Sequence, residues 1–383
     1  MKHWDAIIVG GGIIGLSLAI ELNKRGGRVL LVDKGEPGRE ASWAAGGMLA
    51  DFLLETPPAL QELATASARM YPEFVHELQD ESSTHIDLRD HGTLVFLKPE
   101  TADSQRDSAA ATQLKVAYPL PQPLRELEPA FDVTGTISEM TALFLHERSV
   151  DPRQLTTAAI AAAKHRDIDF SSGNPVVALT VADGKVAGVR TSKTHFSAGI
   201  VVNCAGAWAG QIGRPATGEK GAPPVQAAHG SAPLYSTPTR PVKGQMLCVV
   251  MPKKELVRHV VRTPDVYLIP RSDGRMLIGA TQEEAGFDKQ TVPETIQKLR
   301  ASALDVVPKL AEARFLEAWA GLRPGTPDAL PILGATSTPG YFVATGHFRD
   351  GILLAPVTAR VMAQLIAGEK PEFDLKAFAP DRF

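Results

Sequence analysis

Short, uninterrupted apolar runs dominate the first part of the chain, a pattern typical of strands buried on both faces of a parallel sheet. The first run, Ala6-Ile7-Ile8-Val9, leads directly into Gly10-Gly11-Gly12-Ile13-Ile14-Gly15. Apolar residues then recur at helical spacing up to Gly26-Gly27, which predicts a helix from Ile13 to about Lys24. The next run, Arg28 to Val32, predicts a second strand, so the chain opens with a strand–helix–strand unit.

The rest of the chain mixes the helical and the strand period. Helices are predicted over 57–81, 151–165, 293–310 and 356–368, and strands over 86–99, 174–181, 185–191, 199–204, 241–247, 266–271 and 276–281. A length of 383 residues suggests two domains. We therefore predict an α/β fold in which a Rossmann-like domain is joined to an α+β domain with an antiparallel sheet.

The glycines after the first strand satisfy the G-x-G-x-x-G pattern of dinucleotide-binding sites. Gly10 permits a tight turn, Gly12 lets a pyrophosphate approach the backbone, and Gly15 lets the helix pack close to the strand. Asp33, at the end of the second strand, can accept hydrogen bonds from ribose hydroxyls. An ordinary strand–turn–helix is the alternative, but three consecutive glycines argue against it because glycine is entropically costly to order.

Composition and charge narrow the class of protein. With 44% hydrophobic and 22% charged residues and a net charge of −3, the chain has no basic surface suited to nucleic acid. The ten histidines lack ligand spacing, so we predict no metal. Cys204 and Cys248 lie in apolar runs and are expected to be buried, reduced thiols. Asp5 and the glycines interrupt the only signal-like segment, so we expect a cytoplasmic protein without a membrane span.

Small residues fill the segment that follows Asp33. Read by itself, Gly38-Arg39-Glu40-Ala41-Ser42-Trp43-Ala44-Ala45-Gly46-Gly47-Met48-Leu49 could lie flat against a planar group or simply start a helix. Together with the glycine motif, it resembles the glycine oxidases of thiamine biosynthesis, a group within the D-amino-acid oxidase family of FAD-dependent oxidoreductases. The resemblance extends over 1–50, 146–210, 241–281 and 319–356, and it implies a glutathione-reductase-type, discontinuous FAD-binding domain.

The resemblance also assigns cofactor contacts. Gly46, Gly47 and Met48 would line the isoalloxazine ring, and Ala41 and Ser42 would lie near the pyrophosphate. Val176 would contact the adenine through its backbone, and Gly206 would pass near the nucleotide. The expected FAD-binding residues of the amino-terminal and central blocks are Gly10, Gly12, Ile13, Ile14, Gly15, Asp33, Lys34, Ala41, Ser42, Gly46, Gly47, Met48, Val176 and Gly206. Related sarcosine oxidases attach flavin to a cysteine near the Arg323 region, where this chain has none, so we expect noncovalent FAD.

Two side chains are candidates for binding a substrate carboxylate. Arg323 precedes Pro324-Gly325, and a rigidly held guanidinium can bind a carboxylate through two hydrogen bonds. A structural arginine that caps a turn is the alternative reading of this residue. The resemblance favours Arg323 as the carboxylate anchor and matches Tyr267 to a tyrosine that assists it, although a strand tyrosine is otherwise usual in a core.

A glycine-bounded loop near the carboxyl end carries the remaining site residues. Backbone N–H groups before the helix that starts near Pro356 could face the N1–C2=O edge of a flavin, which becomes negative on reduction. By resemblance the flavin-binding residues here are His347, Phe348, Arg349, Asp350, Gly351, Ile352 and Leu353, and Arg349 also reaches the substrate side. We name Arg323, Arg349 and Tyr267 as the catalytic set.

Together with these motifs, the resemblance implies an FAD-dependent oxidase of glycine, with sarcosine and small D-amino acids as secondary substrates and with O2 as the acceptor. The enzyme would supply dehydroglycine to thiazole synthesis. We assign 1–85, 146–213 and 319–383 to the FAD-binding domain and 86–145 and 241–318 to the substrate domain. The Pro-, Gly- and Ala-rich stretch 214–240 is expected to be a flexible loop, and the protein is expected to be a homo-oligomer.

Three other functions are compatible with parts of this pattern. A dehydrogenase of the same fold would pass electrons to a quinone, and sequence does not decide between the two acceptors. An oxidase-like domain acting on modified tRNA would need a basic surface, which the chain lacks. A noncatalytic NAD-binding module would use only the first glycine motif.

Overall fold

The computed structural model describes residues 3–51, 57–98, 120–212 and 235–383. Its α-helices, in chain order, are α1 (Ile13–Lys24), α2 (Ala41–Ala44), α3 (Gln61–Ser82), α4 (Leu124–Leu127), α5 (Pro152–His165), α6 (Pro293–Val306) and α7 (Ala355–Ile366). Short 3-10 turns are formed by Pro58–Leu60, Gly206–Gln211, Pro308–Glu312, Lys376–Phe378 and Pro380–Arg382.

The strands alternate with these helices in the first part of the chain and dominate its middle. They are β1 (Ala6–Val9), β2 (Val29–Val32), β3 (Met48–Leu49), β4 (Leu88–Arg89), β5 (Thr93–Leu97), β6 (Thr141–Leu145), β7 (Arg148–Val150), β8 (Asp169–Ser171), β9 (Val176–Ala182), β10 (Lys185–Thr191), β11 (His195–Ser197), β12 (Ile200–Asn203), β13 (Arg240–Val250), β14 (Val260–Arg262), β15 (Tyr267–Pro270), β16 (Arg275–Gly279), β17 (Arg314–Gly325), β18 (Ile332–Ala335) and β19 (Tyr341–Thr345).

A six-stranded sheet in the described residues forms the Rossmann-like part of the fold, with strand order β18-β19-β12-β1-β2-β8. Strands β1, β2, β8, β12 and β19 are parallel, and β18 joins the edge in the opposite direction. Every residue of β1 and β2 is buried, because helices cover one face and a three-stranded antiparallel sheet, β11-β10-β9, covers the other. Burial on both faces explains why both strands consist of apolar residues throughout.

A seven-stranded sheet in the order β17-β13-β16-β15-β14-β5-β6 forms the second layer of the molecule. It is antiparallel as predicted except at one position, where β5 runs parallel to β14. One face packs against α6 and the segment 120–140. The other face, which includes Met246, Ile269 and Trp319, packs against the small-residue segment around Ala44. A small antiparallel sheet, β3-β7-β4, lies where the two layers meet.

Two local expectations are refined by the structure. The helix predicted over 293–310 ends at Val306, and Pro308 starts a separate 3-10 turn. The residue before a proline avoids helical backbone angles, and Val307 has φ −132° and ψ 82°. Asp151 caps α5 as expected, because its side chain accepts hydrogen bonds from the N–H groups of Arg153 and Gln154.

The stretch 214–240 lies largely outside the described residues, and its flexibility stays a prediction, as do the domain boundaries. In the described ranges, no helix has both the length and the apolar character that a bilayer crossing requires.

Candidate active site

A cavity of about 690 Å³ lies between the two large sheets. The carboxyl ends of β1, β2, β12 and β19 open into it through Gly10, Asp33, Cys204 and Thr345. Ligands of parallel α/β sheets bind at this edge, because the loops that follow neighbouring strands converge there. Across the cavity, the seven-stranded sheet contributes Tyr267 and other residues of one face.

The structure brings most of the predicted site residues to the wall of this cavity. These residues are Gly10, Gly12, Ile13, Ile14, Asp33, Lys34, Ala41, Ser42, Gly46, Gly47, Met48, Val176, Gly206, Tyr267, Arg323, His347, Phe348, Arg349, Asp350, Gly351 and Ile352. Gly15 and Leu353 do not line it. Leu353 is buried in the core beneath the loop, where its carbonyl accepts a hydrogen bond from Ser67 Oγ at 2.6 Å. The assignment of Gly15 and Leu353 as FAD-binding residues stays a prediction.

The glycine turn has the geometry that its sequence pattern requires. Gly10 has φ +110°, and a Cβ placed on it would lie 2.4 Å from Cys204 O. A Cβ on Gly15 would lie 2.0 Å from Gly10 O, so this glycine permits α1 to pack against β1. Gly12 stands at the N-cap of α1 without a side-chain cap. The amino end of α1, with its partial positive charge, thus faces the cavity through Gly12, Ile13 and Ile14.

Asp33 and Ser42 hold the turn in place. The Asp33 carboxylate accepts hydrogen bonds from Gly11 N at 2.7 Å and from Gly35 N at 2.8 Å. Ser42 Oγ accepts one from Ile13 N at 2.9 Å, which leaves its hydroxyl proton available for an anion. An ionised carboxylate offers about four acceptor positions, so Asp33 retains capacity for a ribose.

The segment Gly46–Met48 passes between the two layers. Gly47 has φ +77°, and a Cβ there would lie 2.0 Å from Val150 O. A Cβ on Gly46 would lie 2.6 Å from Ile269 Cδ1. Only glycine fits at Gly47, because the atom it would meet belongs to the backbone of β7, whereas at Gly46 the Ile269 side chain of β15 would have to move.

Arg323 and Tyr267 meet at the side of the cavity formed by the seven-stranded sheet. The Arg323 guanidinium donates to the carbonyl of Thr281 at 3.1 Å and lies near the hydroxyl of Tyr267. Burial raises the pKa of Tyr267, and the positive charges of Arg323 and Arg349 oppose this effect. Two guanidinium groups therefore stand close to one phenol, an arrangement suited to a carboxylate.

The loop after β19 carries two perturbed titratable groups. Burial lowers the pKa of His347 to about 3, so its ring is neutral, and its Nε2 lies 3.0 Å from Thr358 Oγ1 at the start of α7. Burial raises the pKa of Asp350 to about 6, with Arg349 opposing the effect. Because perturbed groups cluster in functional clefts, their presence in this wall supports a functional role for the cavity.

Two features of the site were missed from the sequence. Gly244 lies directly beneath Arg323, because a Cβ on it would be 2.3 Å from Arg323 Nη1. Trp208 lies under Lys34, whose Nζ is 3.2 Å from the ring centroid, and packs against Phe287 at 5.3 Å. No local pattern reveals these pairs, since each joins residues that are far apart in the chain.

Comparison with known proteins identifies the family. Residues 5–365 match the model of the FAD dependent oxidoreductases. The chain belongs to this family. FAD is therefore its cofactor, and the glycine turn, the amino end of α1 and Asp33 fit a dinucleotide on the geometry described above.

Three relatives illustrate the relationship. The glycine oxidase of Pseudomonas aeruginosa is 33% identical over 385 residues, covering 98% of each chain. The bifunctional protein ThiO/ThiG of Synechocystis is 32% identical over 389 residues, which cover 99% of this flavoprotein and 54% of that protein. The crystal structure of glycine oxidase from Geobacillus kaustophilus superimposes with a TM-score of 0.87 at 29% identity over the whole of both chains.

The two cysteines of the flavoprotein differ in location. Cys204 lines the cavity at the end of β12, and Cys248 is buried in β13. Burial raises the pKa of both thiols, to about 11 for Cys248, so neither is an activated nucleophile. No three His, Cys, Asp or Glu side chains within the described ranges are grouped as metal ligands.

Proposed function

We propose that the protein oxidatively deaminates glycine, with sarcosine and small D-amino acids as secondary substrates, and that O2 accepts the electrons. For glycine and other primary amino acids, the overall reaction converts the amino acid, O2 and water into the oxo acid, ammonia and H2O2, and for sarcosine methylamine replaces ammonia. For glycine, the imine formed before hydrolysis is dehydroglycine, and we propose that it is used in thiazole synthesis. The relatives named glycine oxidase and ThiO/ThiG support this assignment.

The observation that carries the proposal is the Arg323–Tyr267 pair. Arg323 is held by Thr281 O on one side and rests on Gly244, so its guanidinium is fixed rather than free to rotate. A fixed fork suits the planar carboxylate of an amino acid, and the neighbouring charge of Arg349 adds to the attraction.

Orientation and electrostatics are what this chain contributes to the reaction. Arg323 and Tyr267 would bind the substrate carboxylate, and the neighbouring segment Gly46–Met48 would define the plane of the ring. Neutral His347 adds no positive charge to the loop that faces the ring. Bound FAD supplies a two-electron acceptor that takes hydride from the substrate and is reoxidised by O2. The site needs no general base if the amino acid binds with its amine neutral.

A peroxide assay on the FAD-loaded protein tests this function. Glycine, sarcosine, D-alanine and D-proline are compared at equal concentration, and glycine is expected to give the highest kcat/KM. If none of the four produces peroxide while the protein retains FAD, the proposed substrate is wrong. The same panel run in air without a quinone, and without oxygen with a quinone analogue, separates an oxidase from a dehydrogenase, since only an oxidase would turn over in air without the quinone.

A further inference from the structure

Four backbone carbonyls of residues 43–47 accept hydrogen bonds from other parts of the chain. Each donor belongs to a different element, so the segment is held from several directions. The pairs are Trp43 O with Arg153 Nε at 3.4 Å, Ala44 O with Trp319 Nε1 at 3.0 Å, Gly46 O with Arg271 Nη2 at 2.6 Å and Gly47 O with Val150 N at 2.8 Å.

Arg271 differs from the other donors because it is a buried cation. Its side chain is among the largest fully buried ones in the described structure, at 1% exposure. Its Nε and Nη1 have no hydrogen-bond partner among the described residues. Burial lowers the pKa of Arg271 to about 10, and the nearby carboxylates of Asp151 and Asp87 oppose this effect.

Such an arginine is a poor device for stability alone. A buried charge with unpaired donors loses more hydration free energy than its protein contacts return. Replacing it with an apolar side chain of similar size therefore often leaves the stability of the protein unchanged. Within the described ranges, the hydrogen bond to Gly46 is the one that leads from the Arg271 guanidinium directly to the cavity wall.

The position of Arg271 on its strand explains how it reaches that wall. Successive side chains alternate across a strand, so Tyr267, Ile269 and the residue that follows β15 at position 271 share one face. Gly46 lies along this face, because a Cβ on it would be 3.7 Å from Tyr267 Cε2 and 2.6 Å from Ile269 Cδ1. The same face thus holds the substrate-side phenol and the arginine that binds Gly46.

We propose that Arg271 is a positioning residue that sets the spacing between the flavin-facing segment Gly46–Met48 and the Arg323–Tyr267 pair. It acts through the Gly46 carbonyl, with Ile269 as the spacer between the two contacts. The expected effect on kcat rests on the proposed function. The expected effects on FAD affinity and on the flavin spectrum depend only on FAD being the cofactor.

The test compares Arg271→Met with Arg275→Met in the FAD-loaded protein. Arg275 also lies beside Asp151, with which it forms an ion pair at 2.7 Å, but none of its hydrogen bonds reaches residues 43–47. The control therefore removes a neighbouring cation without touching the segment. Methionine fills much of the arginine volume and donates no hydrogen bond.

For Arg271→Met we expect the FAD dissociation constant to rise at least tenfold and the visible flavin spectrum to shift. At saturating FAD, kcat for glycine should fall at least tenfold with KM changed less than threefold, because displacement of the ring affects the reaction more than carboxylate binding. Arg275→Met should leave the FAD dissociation constant, the spectrum and this kinetic pattern unchanged.

Equal effects of the two substitutions on FAD affinity, spectrum and kcat would overturn the proposal and leave Arg271 a structural residue. If Arg271→Met does not fold, Ile269→Ala decides, because it removes the spacer and keeps the arginine: an unchanged FAD dissociation constant and spectrum would also overturn the proposal. The spectral and binding measurements remain decisive even if no amino acid of the panel is oxidised, so failure of the proposed function is distinguishable from failure of this inference.

Discussion

The wall of the cavity formed by the glycine turn and Asp33 differs in construction from the wall formed by the seven-stranded sheet. In the first wall, backbone groups face the cavity, and their positions depend on glycines that lack a side chain, such as Gly10 and Gly15. In the second, long side chains such as Arg323 and Tyr267 face the cavity, and backbone carbonyls support them from behind.

The two walls should therefore respond differently to substitution. A side chain added at one of these glycines in the first wall would displace the backbone, because neighbouring main-chain atoms already lie within contact distance. A side-chain wall can lose a group and remain folded, since truncation removes an interaction without displacing the strand. We therefore expect substitutions in the first wall to affect folding and cofactor binding together, and substitutions in the second to affect substrate alone.

The largest effect is expected for Gly10→Ala. The new methyl group would lie 2.4 Å from Cys204 O, and alanine at φ +110° is strained in addition. Strain and overpacking are each worth ~1–3 kcal/mol, so the free energy of unfolding should fall by about 3 kcal/mol or more, with loss of bound FAD. Urea denaturation and the flavin absorbance of the purified protein measure both.

Gly26→Ala is the matched control for that change. Gly26 has φ +87°, but a Cβ on it would meet nothing within 4 Å. It should therefore cost only the backbone strain, ~1–2 kcal/mol, and leave FAD bound. An equal decrease in the free energy of unfolding for the two substitutions would show that the contact with Cys204 O, after β12, does not matter.

An intermediate effect, of opposite sign, is expected for Asp350→Asn in FAD-free protein. The pKa of Asp350 is about 6 in the fold against 3.8 as its ordinary value, so the folded state keeps a proton that the unfolded chain releases. Its contribution to stability is thus greatest below pH 4 and is lost as the pH rises to about 6. Asparagine should raise the unfolding free energy at pH 8 by up to about 3 kcal/mol and have little effect at pH 4. Urea denaturation at the two pH values checks this, and a gain that does not depend on pH would contradict it.

The smallest of these effects on folding, and the clearest on substrate, is expected for Arg323→Ala. Loss of a charged hydrogen bond is worth ~1.5–3 kcal/mol, so KM for glycine should rise at least tenfold while the flavin spectrum and melting temperature hardly change. Arg314→Ala, on the same strand but exposed, should leave KM unaltered. A KM that does not respond to Arg323→Ala would remove this residue from the substrate site.

Sequence patterns predict the first wall well because its parts are adjacent in the chain. Strand, glycines, helix and Asp33 lie within residues 6–33, and the structure forms β1, α1 and β2 almost at the predicted bounds. The second wall depends on pairs such as Arg323 with Gly244 and Tyr267, which only the strand order and register of the seven-stranded sheet bring together. The resemblance supplied Arg323 and Tyr267 as candidates, but no pattern indicated Gly244, Trp208 or Arg271.

The long ladder between β13 and β17 has a mechanical consequence. It runs from Arg240 opposite Gly325 to Val250 opposite Arg314, and β17 carries both Trp319, which binds Ala44, and Arg323. The ladder lies within one sheet, so a motion that separated the two layers would leave it intact and would have to break the hydrogen bond from Trp319 Nε1 to Ala44 O. In such a motion Trp319 and Arg323 would move together, because both lie on β17 and the ladder holds that strand along β13 at both residues.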